Sequence, residues 1–188
     1  MSSSLWAMAT GSALGRQVLH QDRFRRFYLD TVRLPSGEVV TYSWAETLEA
    51  AFVTPLTDRG EIILIRQYRY PVDCWLWEVP AGRLEGESGE AAARRELREE
   101  VGGTARELLY LGQFFSAAAH LRLRCNTYLA LGVTLTSPTE HENTELLEVH
   151  CLPAEEALAL ARRAEEFEGQ SALAVLMAEP LIRTRLGR

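Results

Sequence analysis

The pattern of apolar and polar positions is strand-like over most of the first half of the chain. Residues 1–15 are small and polar and predict a frayed start. From Arg16 to Trp44 the pattern breaks into short pieces. Phe24–Arg33 and Val39–Tyr42 are rich in aromatic and β-branched residues and flank Leu34-Pro35-Ser36-Gly37, which predicts a β-hairpin. Ala50–Pro55 and Ile62–Tyr68 flank Thr57-Asp58-Arg59-Gly60 and predict a second one. Ile62-Ile63-Leu64-Ile65 is a continuous apolar run, the pattern of a strand buried on both faces. Trp75–Glu78 reads as a strand that ends in a loop at Pro80-Ala81-Gly82.

The period then changes. Ser88 to Val101 is predicted helical, with a helical stripe among Ala91, Ala92, Ala93, Leu97 and Val101 and Gly102-Gly103 as its stop. Tyr110–Phe115, Arg124–Leu131 and Leu146–Leu152 are predicted strands. Pro153 opens a helical region over Ala154–Glu166, and Ser171–Met177 predicts another turn or two. Strands, helix, strands, helix in this order predict the α/β class, a mixed sheet sandwiched by helices.

Composition narrows the chemistry. The chain has 188 residues, 47% of them hydrophobic, enough for one ordinary domain with a small extension. All 20 basic residues are arginine. Without lysine there is no Schiff-base chemistry and no Walker-type phosphate loop. A net charge of -6 argues against a nucleic-acid partner and against an anionic membrane surface. The N-terminal stretch has no basic, long-apolar signal pattern, and no run reaches the eighteen or so apolar residues of a membrane span. Cys74, Cys125 and Cys151 are odd in number and widely spaced, which predicts reduced thiols and a cytoplasmic location.

The acidic residues are unevenly spread. Six glutamates fall between Glu85 and Glu100. On a helix Glu96, Glu99 and Glu100 stand at i, i+3 and i+4, so their carboxylates share a face and repel unless a positive group lies among them. A hard divalent cation, Mg²⁺ or Mn²⁺, answers that requirement; a solvated charged face is the alternative.

Gly82, Glu87, Arg95, Glu96, Leu97, Glu99, Glu100 and Gly102 together resemble the Nudix box of the Nudix hydrolases. Four residues rather than five separate Gly82 from Glu87, and Gly103 stands at the final apolar position. Upstream, Arg66-Gln67-Tyr68-Arg69 followed by Glu78-Val79-Pro80-Ala81-Gly82 is similar to the arrangement in the ADP-ribose pyrophosphatase branch.

The resemblance implies a Nudix-type α/β/α sandwich with a mixed sheet over residues 49–188, and an N-terminal β extension over 1–48 that serves dimerisation in a homodimer. It implies Mg²⁺, with Mn²⁺ as an alternative, held by Glu96, Glu99 and Glu100 with the backbone of Ala81. Glu87 and Arg95 would brace the loop and helix. Arg69, Arg66 and Glu78 would serve substrate binding, the arginines facing phosphate. The catalytic base would come from a later loop, with Glu142 and Glu145 the candidates and Glu140 the third. The implied reaction is hydrolysis of a nucleoside diphosphate derivative, ADP-ribose or a nucleotide sugar. Ser116-Ala117-Ala118-Ala119-His120 departs from the branch pattern, so nucleotide sugars stay open beside ADP-ribose. A non-catalytic nucleotide-sugar sensor, or an enzyme for nucleoside triphosphates or dinucleoside polyphosphates, is the alternative.

Overall fold

The computed structural model describes residues 12–139 and 146–187. The chain divides into two units, Met1–Leu48 with Phe115–Leu123, and Glu49–Phe114 with Arg124–Arg188.

In the first unit, β1 (Ser12–Gln21), β2 (Arg25–Arg33) and β3 (Val39–Thr47) form an antiparallel meander. The β2–β3 register runs from Arg25 opposite Thr47 to Arg33 opposite Val39. It closes through the expected Pro-Ser-Gly turn, where Gly37 takes a φ of 89°. Ser12–Gly15, inside the stretch expected to fray, are strand because they pair with β2. The meander is tied by Arg16, which donates to Asp30 through Nε (2.8 Å) and Nη2 (2.9 Å). Its guanidinium also lies 4.7 Å from the Tyr28 ring centre and 4.9 Å from that of Trp44. Leu121 and Arg122 pair in parallel with Ala45 and Glu46.

The second unit holds β4 (Ala50–Leu56), β5 (Glu61–Arg69), a 3-10 turn at Tyr70–Val72, β6 (Cys74–Glu78) and β7 (Ala81–Arg83). Helix α1 (Gly89–Val101) and β8 (Gly103–Thr104) follow. Then come β9 (Glu107–Ser116) and β10 (Leu121–Leu131), of which Phe115–Ser116 and Leu121–Leu123 belong to the first unit, and β11 (Thr134–Leu135), β12 (Leu147–Pro153), α2 (Ala154–Arg163) and α3 (Gly169–Arg185). Cys125–Leu131 of β10 run parallel to Ala50–Leu56, whereas β5 pairs antiparallel with β4, β6 and β12, so the sheet is mixed.

Ile62, Ile63, Leu64 and Ile65 are all 0–1% exposed, as the apolar run predicts. Alternation splits them between two layers. Ile63 and Ile65 join Ala51, Val53 and the Ala92–Ala93–Leu97–Val101 stripe of α1. On the other side α2 and α3 pack on each other and against β4, β5 and β12, burying Leu158, Val175 and Ile182. The result is the expected α/β sandwich.

Two elements differ from expectation. Ala81–Arg83 is not loop: it pairs antiparallel with Ala50–Phe52. Helix α3 runs to Arg185, through Pro180, well beyond Met177. Buried Ala178 before that proline and buried Ile182 beyond it carry the helix past the hydrogen bond it removes. No helix among the described residues is long and apolar enough to cross a membrane.

Candidate active site

Helix α1 is positioned at both ends by local chemistry. Ser88 caps its start, its hydroxyl accepting from the Ala91 amide at 3.2 Å. Gly102 ends it with a φ of 65°, and a Cβ there would stand 2.0 Å from the carbonyl oxygen of Ser137. With the apolar stripe in the core, the neighbouring face carries Glu96 and Glu100 into burial at 8% and 7% exposure. Glu99 stays half-buried.

That acidic face meets β7. The Ala81 amide donates to Glu100 Oε2 at 2.8 Å. At Gly82 a Cβ would fall 1.6 Å from Glu96 Oε1, so the backbone passes the carboxylate at a distance only glycine permits.

Arg95 sits among the carboxylates. Its Nε donates to Glu87 Oε1 (2.8 Å), and its Nη1 to both Glu96 Oε1 (2.6 Å) and Glu99 Oε2 (3.0 Å). Its Nη2 donates to the Arg83 carbonyl at 2.9 Å. Burial alone lowers its pKa, but Glu87, Glu96 and Glu99 outweigh burial and raise it, making Arg95 a fixed cation. The repulsion expected between Glu96 and Glu99 is thus relieved from within the chain, while Glu100 accepts from the Ala81 amide. The same contacts join helix, loop and β7, so the loop that is one residue short is still tied at Arg83 and Glu87.

Among the described residues no three acidic, histidine or cysteine groups surround one point closely enough to hold a metal ion, since Arg95 lies between Glu96 and Glu99. The donor chemistry nevertheless fits a hard divalent cation. Two buried carboxylates, Glu96 and Glu100, lie against the backbone of β7, and half-buried Glu99 is joined to Glu96 through Arg95.

The remaining expected residues separate by strand parity. Ile65 lies opposite Glu78 and Arg69 opposite Cys74, so Arg69 and Glu78 share the α1 side of the sheet. They form a two-pronged ion pair, Arg69 Nε to Glu78 Oε1 at 2.6 Å and Nη2 to Oε2 at 2.5 Å. Burial pushes the Glu78 carboxyl up against the pull of Arg69. Arg66 faces the opposite side, paired with Glu166 at 2.7 Å and lying 5.1 Å from the Trp77 ring centre. Glu140, Glu142 and Glu145 lie outside the described residues. His120, Trp44, Tyr42 and Arg122 line a cavity of about 300 Å³ in the first unit. Trp75 lies tilted against Tyr68, Trp77 meets His150 edge-on, and Tyr70 is exposed.

Two contributors were not foreseen. The Arg83 carbonyl anchors Arg95, a backbone role that carries no residue signature. Glu168 caps α3 by accepting from the Gln170 and Ser171 amides, and its charge acts on both Arg69 and Glu78. An acid ahead of a helical run was its only signal.

The NUDIX domain model matches residues 46–172. The chain belongs to the Nudix family. This Nudix hydrolase is of the ADP-ribose pyrophosphatase-like branch. It is 33% identical to an ADP-ribose pyrophosphatase of Bacillus subtilis over 79% of this chain and 81% of that protein. It is 30% identical to a CMP-5'-(N-acetyl-N-hydroxy-3-aminopropyl)phosphonate hydrolase of Streptomyces rubellomurinus, over 86% and 79% of the two chains. The crystal structure of an ADP compounds hydrolase has the same fold, with a TM-score of 0.82 at 22% identity over 94% and 96% of the two chains.

Proposed function

We propose that this Nudix hydrolase cleaves the pyrophosphate bond of ADP-ribose or a nucleotide sugar, in a Mg²⁺-dependent reaction that Mn²⁺ also supports. The products are a nucleoside monophosphate and a phosphorylated remainder. One observation carries the reading: Glu96 and Glu100 are buried against Gly82 and the Ala81 amide, with Glu99 beside them. A cluster so desolvated is a costly way to build a surface and a useful way to place negative charge.

Glu96, Glu99, Glu100 and the Ala81 backbone would hold the cation. When bound, it neutralises the diphosphate and lowers the pKa of the attacking water. Arg69 offers phosphate the guanidinium N–H groups that Glu78 leaves over, and buried Glu78 fixes the aim of the guanidinium. Arg95 holds Glu96 and Glu99 in place. Glu142 or Glu145 takes the proton from water as general base. The similarity to enzymes named for ADP-ribose and for a CMP-phosphonate supports a nucleoside diphosphate-type substrate and leaves the nucleoside to be measured.

We further propose a cytoplasmic homodimer whose N-terminal β extension forms the interface. Leu14, Val18, Leu19 and Val39 are exposed on that extension, which supports the reading. A sedimentation mass of one chain would overturn it.

The functional test is Glu100→Gln. It should fold as the wild type by circular dichroism and lose about 100-fold or more in nucleoside monophosphate release. Near-wild-type release would remove the metal-binding role. A folded wild type that is inactive on ADP-ribose and on ADP-, GDP- and UDP-sugars with Mg²⁺ and Mn²⁺ but binds one of them tightly would make the chain a binding module.

A further inference from the structure

We propose that Gln67 is a specificity residue, its side-chain amide reserved for a sugar hydroxyl of the substrate; this rests on the reading that the α1 carboxylates and Arg69 receive a nucleoside diphosphate derivative.

The register of β5 places it. Gln67 lies opposite Leu76 on β6 and opposite Leu147 on β12. Paired residues of antiparallel strands share a face, and Ile63 and Ile65 pack under α1. Gln67 therefore stands on the α1 side, between Ile65 and Arg69, with Glu78 as its diagonal cross-strand neighbour.

Gln67 is 4% exposed, and its Oε1 has no hydrogen-bond partner. Its neighbours on this face are committed elsewhere: Arg69 and Glu78 to each other by two hydrogen bonds, Glu100 to the Ala81 amide. A buried acceptor left unmade costs free energy that leucine at this position would not, and folded proteins leave few of them. Beside a substrate site such an atom is explained by a partner that arrives with the substrate.

The chemistry of the atom selects that partner. Oε1 only accepts, and phosphate oxygens only accept, so the diphosphate cannot satisfy it. The donors that a nucleotide sugar carries next to its phosphates are sugar hydroxyls. The bond requires the glutamine side chain to turn toward the Arg69–Glu78 edge when substrate binds, a change of side-chain torsions and not of the strand. A site built to bond a hydroxyl discriminates against an analogue that lacks it.

The test uses the full chain and Gln67→Leu, with kcat and KM measured on three substrates. These are ADP-ribose, ADP ethyl ester, which has no distal sugar, and ADP-ribose lacking the hydroxyls of its adenosine ribose. The variant should lose about tenfold in kcat/KM on ADP-ribose, mostly through KM. The loss should vanish on whichever analogue lacks the bonded hydroxyl. Its thermal unfolding should be no lower than that of the wild type, and Gln67→Met serves if the leucine variant does not fold. Equal losses on all three substrates, or none on any, overturn the inference while leaving the hydrolase reading intact. A wild type that cleaves neither these three nor any ADP-, GDP- or UDP-sugar overturns the reading and the inference with it.

Discussion

Gly82→Ala isolates function from stability at the centre of the site. The new methyl carbon would stand 1.6 Å from Glu96 Oε1 and 2.1 Å from its Cδ. Contacts below about 3 Å do not persist, so the carboxylate must retreat by about 1.4 Å, and misplacement on that scale costs about 100-fold in rate. Stability responds less, because the obstruction is the end of a side chain and not backbone; overpacking of this kind typically costs about 1–3 kcal/mol. The assay pairs thermal unfolding with kcat/KM for nucleoside monophosphate release. Gly169→Ala is the control, since nothing lies within 4 Å of a Cβ there. A Gly82→Ala enzyme with wild-type kcat/KM would refute the claim that Glu96 must lie against β7.

Other positions give different signatures. At Gly102 the clash is with the Ser137 backbone oxygen at 2.0 Å and φ is 65°, so neither partner yields. Gly102→Ala should cost about 1–3 kcal/mol, read as a lowered Tm; an unchanged Tm would count against the capping role. The hydrogen bonds from Arg16, followed by that from Trp44, hold the Asp30 carboxyl below the usual carboxylate range. Its folded pKa is therefore below its unfolded value of about 3.9, so its stabilisation is complete above that pH and is lost as pH falls through the folded value. Asp30→Asn should lower Tm at neutral pH and flatten the acid limb of the Tm–pH curve; parallel curves would dismiss the Arg16–Asp30 contribution.

Helix α1 was readable because its signals are local. Ser88 and Gly102 cap it, the apolar stripe has the helical period, and Glu96, Glu99 and Glu100 share a face by spacing alone. Strand β7 was hidden because Pro80-Ala81-Gly82 has the composition of a turn, and its pairing with Ala50–Phe52 is set by residues remote in sequence. The length of α3 was obscured by Pro180, which local propensity reads as a stop. The separation of Arg66 from Arg69 was available in principle. Residues three apart on a strand point to opposite faces, and only the structure says which face meets α1. The cationic role of Arg95 among three glutamates needed coordinates, since a helix projection does not show that one guanidinium reaches both Glu87 and Glu99.

The most direct measurement is nucleoside monophosphate release from ADP-ribose and a panel of ADP-, GDP- and UDP-sugars, with Mg²⁺, with Mn²⁺ and after chelation. The expected result is release of one nucleoside monophosphate and a sugar phosphate in equal amounts, abolished by chelator and restored by Mg²⁺. Release that persists undiminished in chelator, or cleavage confined to nucleoside triphosphates, would contradict the account.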